Sequence, residues 1–202
     1  MYIYGLCSPS GAEKYWAESG LKVGDTVTLR TVRTSHNGTP QGKNAIYVSH
    51  IAGEAPEIDP DGKFASQSIF TSTVDENKKV YLQSATINGE NCEVIKFGTS
   101  SVIGTLTSAP VNVTGDKTLS LYGVAWNGKS GKIAISVDGN EVTTIELTSN
   151  AGAANNAPYT ITLDETTDFY SVNLTGLTAT STITISTVSG ATRVILAGVS
   201  LE

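Results

Sequence analysis

The amino-acid sequence predicts an all-β protein, with a small N-terminal sheet, one short helix and a larger C-terminal β-sandwich. Only 16% of its 202 residues are charged, whereas Thr, Ser, Gly and Asn are abundant, a bias toward strands and turns. Short runs of alternating apolar and polar residues recur along the chain, and turn dipeptides such as Asn88-Gly89 and Asp138-Gly139 separate them. This pattern favours antiparallel sheets over long surface helices.

The N-terminal region predicts three strands and a helix. The strands are expected at 2–6, 22–29 and 45–48, with a turn at 37–38. Ser10 and Glu13 have the spacing of a capping box, and Gly20 supplies a C-terminal stop, so residues 11–19 are predicted to form the helix.

An acidic stretch divides the chain. The segment from Ala52 to Gly62 holds two of the six prolines and lacks strand periodicity. The predicted organisation is therefore a sheet domain over 1–52, a linker over 53–63 and a sandwich over 64–202.

Strand signals repeat after the linker. Hairpins are predicted at Asn88-Gly89, at Asp138-Gly139 and at the polar loop 127–131, and alternation continues to the C-terminus. A single sheet of so many strands would leave one apolar face in water, so a two-sheet jelly roll is the expected arrangement.

The charge balance excludes some partners. The net charge of −6 gives no general attraction to nucleic acid or anionic lipid, and no apolar run is long enough for membrane insertion. Cys7 and Cys92 match no metal or redox spacing, so two free thiols are expected, with a disulfide as the alternative.

No catalytic residues are predicted. The only histidines, His36 and His50, lie beside a turn and at a strand end, and no nucleophile or phosphate-loop motif occurs. Acidic pairs such as Asp75-Glu76 and Asp164-Glu165 fall in turns, where solvated carboxylates are ordinary, so glycosidase chemistry is the weaker interpretation.

No cofactor and no metal site are predicted. Glu57, Asp59 and Asp61 imitate the first half of a calcium loop, but Pro60 interrupts it and Ser68 stands where a glutamate is required. A linker is the favoured interpretation. A structural calcium ion elsewhere stays open, because jelly-roll modules that bind sugars often carry one.

Trp126 is the best candidate for a ligand platform, with Tyr122 on the same strand face and Asn127 in the following loop. An aromatic ring can stack on a sugar ring while nearby polar groups bind its hydroxyls. The alternative is that Trp126 closes one end of the sandwich core. Tyr159 and Tyr170 are further candidates, although alternation sends Tyr159 inward.

Two sets of motifs carry a resemblance to exported proteins of Bacteroidetes, in which an OB-fold domain precedes a jelly-roll module. The N-terminal set comprises 20–27, 37–41 and 46–48, and the C-terminal set comprises 95–101, 104–110, 119–126 and 193–199. The resemblance implies export to the periplasm or cell surface. Only the last three OB strands are recognised, so the sheet edges are expected to pair with another copy, with the sandwich or with a segment outside this sequence.

The function predicted is therefore a non-catalytic binding module for a glycan or a protein ligand, which includes a role in adhesion. Two alternatives stay open: a structural or assembly domain that pairs through exposed β edges, and an accessory domain of a larger hydrolase.

Overall fold

The computed structural model describes residues 2–21, 25–36, 39–51, 62–154 and 156–202. Strands dominate, so the predicted all-β class is confirmed. The chain forms two compact units, Met1–Glu57 and Ile58–Glu202. Most of the predicted linker lies outside the described residues, and the predicted domain boundaries stay a prediction. No helix among the described residues is long and apolar enough to cross a membrane.

The N-terminal unit is a three-stranded sheet. Its strands are β1 (Tyr2–Cys7), β2 (Thr26–His36) and β3 (Thr39–Ile51). The order is β1-β3-β2, with β1 parallel and β2 antiparallel to β3. Three strands were predicted here, and the predicted turn at 37–38 lies outside the described residues.

The predicted helix over 11–19 is wrong. Lys14 has a φ of 64°, a left-handed conformation that a helix interior does not tolerate. The hydroxyl of Ser8, rather than that of Ser10, accepts a hydrogen bond from the Ala12 N–H, at 3.0 Å. What remains is a single turn, closed by the Ser19 N–H donating to the Tyr15 carbonyl.

The C-terminal unit begins with a four-residue helix, α1, at Ser68–Thr71 and a 3-10 turn at Glu76–Lys78. Its strands are β4 (Val80–Ile87), β5 (Glu90–Phe97), β6 (Thr105–Thr107), β7 (Gly115–Trp126), β8 (Lys132–Val137), β9 (Asn140–Glu146), β10 (Ser149–Asn150), β11 (Tyr159–Ile161), β12 (Phe169–Leu177), β13 (Ile183–Thr187) and β14 (Val194–Leu201). A second 3-10 turn spans Ala151–Ala154.

These strands form two sheets, as the predicted sandwich requires. The larger has the order β10-β7-β14-β5-β4-β11, with β12 also paired to β7, and the smaller has the order β6-β13-β8-β9. The hairpins β4–β5 and β8–β9 are confirmed. The predicted hairpin between β7 and β8 is wrong, because the loop 127–131 carries the chain from one sheet to the other.

The larger sheet carries a buried apolar cluster on each of its faces. One face packs on the smaller sheet through a core that includes Phe97, Leu121 and Ile135. The opposite face, called the outer face here, carries a second apolar cluster that includes Val94 and Ile195.

The crossover from β10 to β11 joins opposite ends of the larger sheet, because β10 pairs with β7 and β11 pairs with β4. Its Ala153 is buried in the outer cluster. This crossover therefore covers part of the outer face, and the site described next lies there.

Candidate functional site

Strand β7 presents different residues to its two faces. Leu119, Leu121 and Ala125 are buried in the core between the sheets, whereas Tyr122 and Trp126 pack half-buried against the outer cluster. The alternation expected for a strand explains this division. Trp126 thus belongs to the outer face, and it does not close the core between the sheets.

Trp126 is surrounded by aromatic and cationic side chains. Its ring meets Tyr159 edge-on, with centroids 5.8 Å apart. The Arg193 guanidinium carbon lies 5.4 Å from the Trp126 ring centroid, and the Lys96 Nζ lies 5.6 Å from it. Lys96 also lies 4.6 Å above the Tyr81 ring centroid. We call Tyr81, Lys96, Trp126, Tyr159 and Arg193 the aromatic–cationic cluster.

Strand pairing assembles this cluster. Lys96 on β5 lies opposite Tyr81 on β4 and opposite Ile195 on β14. The backbone N–H of Trp126 donates a hydrogen bond to the backbone carbonyl of Arg193 at 2.9 Å. This bond fixes Arg193 beside the end of β7. Lys96 stands between the fully buried Ile95 and Phe97, so its side chain points to the other face, which is the outer one.

The aromatic–cationic cluster contains two partly buried cations, and each disfavours the charge of the other. Burial, and then the neighbouring Arg193, lower the pKa of Lys96. Both effects disfavour the charged amine. The Nε of Arg193 is buried and has no hydrogen-bond partner. Among the described residues, no ion pair involves Lys96 or Arg193.

Tyr159 supports the indole from inside. It is only 3% exposed, as the alternation of its strand predicted, and burial raises the pKa of its phenol. An edge-to-face contact of this kind contributes roughly 1 kcal/mol beyond the buried area. Tyr159 therefore restricts the orientation of Trp126.

The other predicted ligand residues lie in different places. Tyr122 is on the same face as Trp126 but joins a separate aromatic group, with ring centroids 5.4 Å from Phe64 and 4.9 Å from Phe169. Asn127 is exposed in the turn after Trp126. Tyr170 packs against the core between the sheets. The structure thus groups Trp126 with Tyr159. The role of Trp126 in ligand binding stays a prediction.

Sequence reasoning missed Tyr81, Lys96 and Arg193. The available signal was weak: Lys96 occupies an alternating position between two large apolar residues, and Arg193 directly precedes a buried strand. Neither position indicates which residues face it, because the partners come from strands that are distant in sequence.

The histidines and the calcium-like stretch considered in the sequence lie away from the aromatic–cationic cluster in the chain. The Nδ1 of His50 lies 2.7 Å from the Tyr47 hydroxyl, and its Nε2 lies 3.8 Å from an Asp25 carboxylate oxygen. In the described part of the chain, no group of three or more His, Cys, Asp or Glu side chains could hold a metal ion. The calcium-like stretch 57–61 lies outside the described residues.

The two cysteines are free and buried. Burial, the larger cause, raises the pKa of the Cys92 thiol to about 11, and the nearby Glu90 adds to the shift. A thiol with so high a pKa is a poor nucleophile at neutral pH.

No protein-family model matches the chain, and no curated protein matches its sequence. Solved structures similar to it include the carbohydrate-binding module TmCBM61 with β-1,4-galactotriose, at 14% identity and a TM-score of 0.43, covering 67% of this chain and 95% of that one. Another is the C-terminal CBM6 module of a laminarinase from Zobellia galactanivorans, at 9% identity and a TM-score of 0.36, covering 59% and 88%.

A third is the carbohydrate-binding module CBM36 with calcium and xylotriose, at 11% identity and a TM-score of 0.32, covering 62% and 95%. All three are carbohydrate-binding modules.

Proposed function

We propose that the C-terminal unit is a non-catalytic glycan-binding module and that the glycan lies on the aromatic–cationic cluster. The observation that supports this is the position of Trp126: a half-buried indole on the outer face, flanked by two cations that bind no carboxylate among the described residues. Sugar recognition needs this pairing of an aromatic surface with polar groups.

The cluster is suited to sugar binding because it is preorganised. Tyr159 holds the indole from its edge and the backbone bond to Arg193 fixes the strand end. A side chain already held in one orientation loses little conformational entropy when a ligand arrives. The N–H groups of Lys96 and Arg193 can donate to the hydroxyl oxygens of a sugar.

A glycan array probed with the whole chain, followed by calorimetry on the best ligand, tests the proposal. The chain has two tryptophans, and Trp16, which is 50% exposed in the N-terminal unit, provides the matched control. We expect Trp126→Ala to weaken binding at least about tenfold and Trp16→Ala to leave it unchanged. Equal effects of the two substitutions, or no ligand on a broad array, would contradict the proposal.

The cellular setting is proposed from the sequence resemblance. We propose that the protein is exported to the periplasm or cell surface and that its N-terminal unit is a partial OB-fold. A structural calcium ion in the sandwich is a further part of this proposal. An accessory role beside a hydrolase is compatible with the same glycan site, and the gene neighbourhood and upstream reading frame would test it.

A second candidate function is assembly through the N-terminal sheet. Within this unit β1 and β2 are the outer strands, and Val32 on β2 is 76% exposed. Unprotected strand edges promote pairing with another chain. Light scattering after size exclusion tests this: Val32→Lys should reduce association of the chain, and a monomer at all concentrations would contradict it.

A further inference from the structure

Two half-buried cationic side chains lie near the same indole ring in an acidic protein. The whole chain carries a net charge of −6, yet Lys96 and Arg193 both approach the ring of Trp126. Among the described residues, neither forms an ion pair. The general charge of the protein therefore does not explain this local positive site.

Such an arrangement has an energetic cost. Partly burying an ammonium or guanidinium group removes hydration, and like charges repel each other more strongly where water is partly excluded. The Trp126 and Tyr81 rings offset some of this cost through cation–π attraction. An anion between the two cations would offset it further.

We infer that the glycan bound at the aromatic–cationic cluster is acidic and that Lys96 and Arg193 bind its carboxylate or sulfate group. This inference rests on the proposed glycan-binding function. The buried, unpaired Nε of Arg193 is a donor that a bound anion can satisfy, because two guanidinium N–H groups can bind two oxygens of one carboxylate or tetrahedral oxyanion. Lys96 supplies a second donor close to the same Trp126 ring.

The geometry also assigns the orientation of the ligand. The acidic group lies beside Lys96 of β5 and Arg193, which directly precedes β14. The sugar ring lies against the exposed part of the indole. A neutral glycan of the same ring structure makes the stacking contact but lacks the charge-assisted hydrogen bonds.

The test compares acidic glycans with matched neutral forms on the intact chain. Methyl esterification removes the charge of the carboxylates of an oligogalacturonate, and desulfation removes the sulfate groups of a sulfated galactan, while the sugar rings stay the same. We expect one acidic form to bind roughly tenfold more tightly than its neutral counterpart. Which pair shows the difference distinguishes carboxylate from sulfate.

Variants assign the effect to this site. Lys96→Gln and Arg193→Gln should each reduce the preference for the acidic form at least about threefold, because each removes a charge-assisted hydrogen bond. Lys132→Gln, which removes a cation from the smaller sheet where Lys132 pairs with Glu146 at 3.6 Å, should not. Melting curves by circular dichroism verify that each variant is folded, and an Arg193→Lys variant, which keeps the charge, should retain part of the preference.

The outcomes separate the two proposals. Trp126-dependent binding of acidic and neutral forms with equal affinity overturns this inference and leaves the glycan-binding proposal intact. A preference that Lys132→Gln reduces as much as Lys96→Gln also overturns it. Absence of Trp126-dependent binding to any glycan overturns the proposed function itself.

Discussion

The guanidinium carbon of Arg193 lies 5.4 Å from the ring centroid of Trp126, and the backbone carbonyl of Arg193 accepts a hydrogen bond from the Trp126 N–H. The same pair of strands thus sets both the backbone register and the side-chain contact. Because Arg193 directly precedes β14, which pairs with β7 over most of its length, the paired strands fix this position. A site built on strands keeps its geometry better than one built on loops.

Replacing Tyr159 should separate the role of its ring from that of its hydroxyl. Tyr159→Ala removes a buried ring that supports Trp126, and we expect a loss of about 3–5 kcal/mol in the free energy of unfolding. Tyr159→Phe keeps the ring and should cost less than about 1 kcal/mol. Urea denaturation measures both, and similar losses for the two variants would show that the hydroxyl, not the ring, is the stabilising group.

A substitution in the crossover 149–161 should reveal how closely it packs. A Cβ on Gly152 would clash with the Thr160 carbonyl oxygen, so Gly152→Ala must displace backbone and should cost at least about 2 kcal/mol. Gly139 has a φ of 81° but open space around it, and Gly139→Ala should cost about 1 kcal/mol through backbone strain alone. The thermal denaturation of the two variants tests this ranking, which an equal loss for both would contradict.

The stability of the folded chain should depend on the charge of Lys96. Its pKa is below the ordinary lysine value of 10.5, chiefly because of burial. The unfolded chain therefore binds more protons at this residue between the lowered pKa and 10.5, so the free energy of unfolding rises with pH there. The Lys96→Met variant has no titrating amine at this position, so this pH-dependent part of its free energy of unfolding is absent.

The measurement is the difference in unfolding free energy between wild type and Lys96→Met across alkaline pH. Wild type should gain stability relative to the variant as the pH rises through the lowered pKa. A relative loss over that range would mean that the folded state favours the charged amine, contrary to its burial.

Cys92 should resist thiol reagents in the folded protein. With a pKa of about 11, only about one thiol in a thousand is ionised at pH 8. In a Cys7→Ala background, labelling of Cys92 by a disulfide reagent should be at least about a hundredfold slower in buffer than in denaturing urea. Equal rates would show that the β4–β5 region opens readily.

The sequence alone determined the class of the fold. Alternating residues in Leu119–Ala125 and the turn dipeptides at 88–89 and 138–139 predicted strands and hairpins correctly, because the side-chain period of two and the positive φ of turn residues are local properties. The local signals failed at 11–19, where a capping box predicted a helix. The structure has a turn there instead, because Lys14 is left-handed and the Ser8 hydroxyl accepts the hydrogen bond from the Ala12 N–H.

Only the tertiary structure decided where these strands go and what they bring together. The loop 127–131 looked like a hairpin, but it connects two sheets so that the apolar sides of β7 and β8 face the same core. Trp126 was recognisable as a candidate from its residue type and loop. Its neighbours Tyr81, Lys96, Tyr159 and Arg193 come from other parts of the chain, and non-local strand pairing, which no short stretch of sequence encodes, places them beside it.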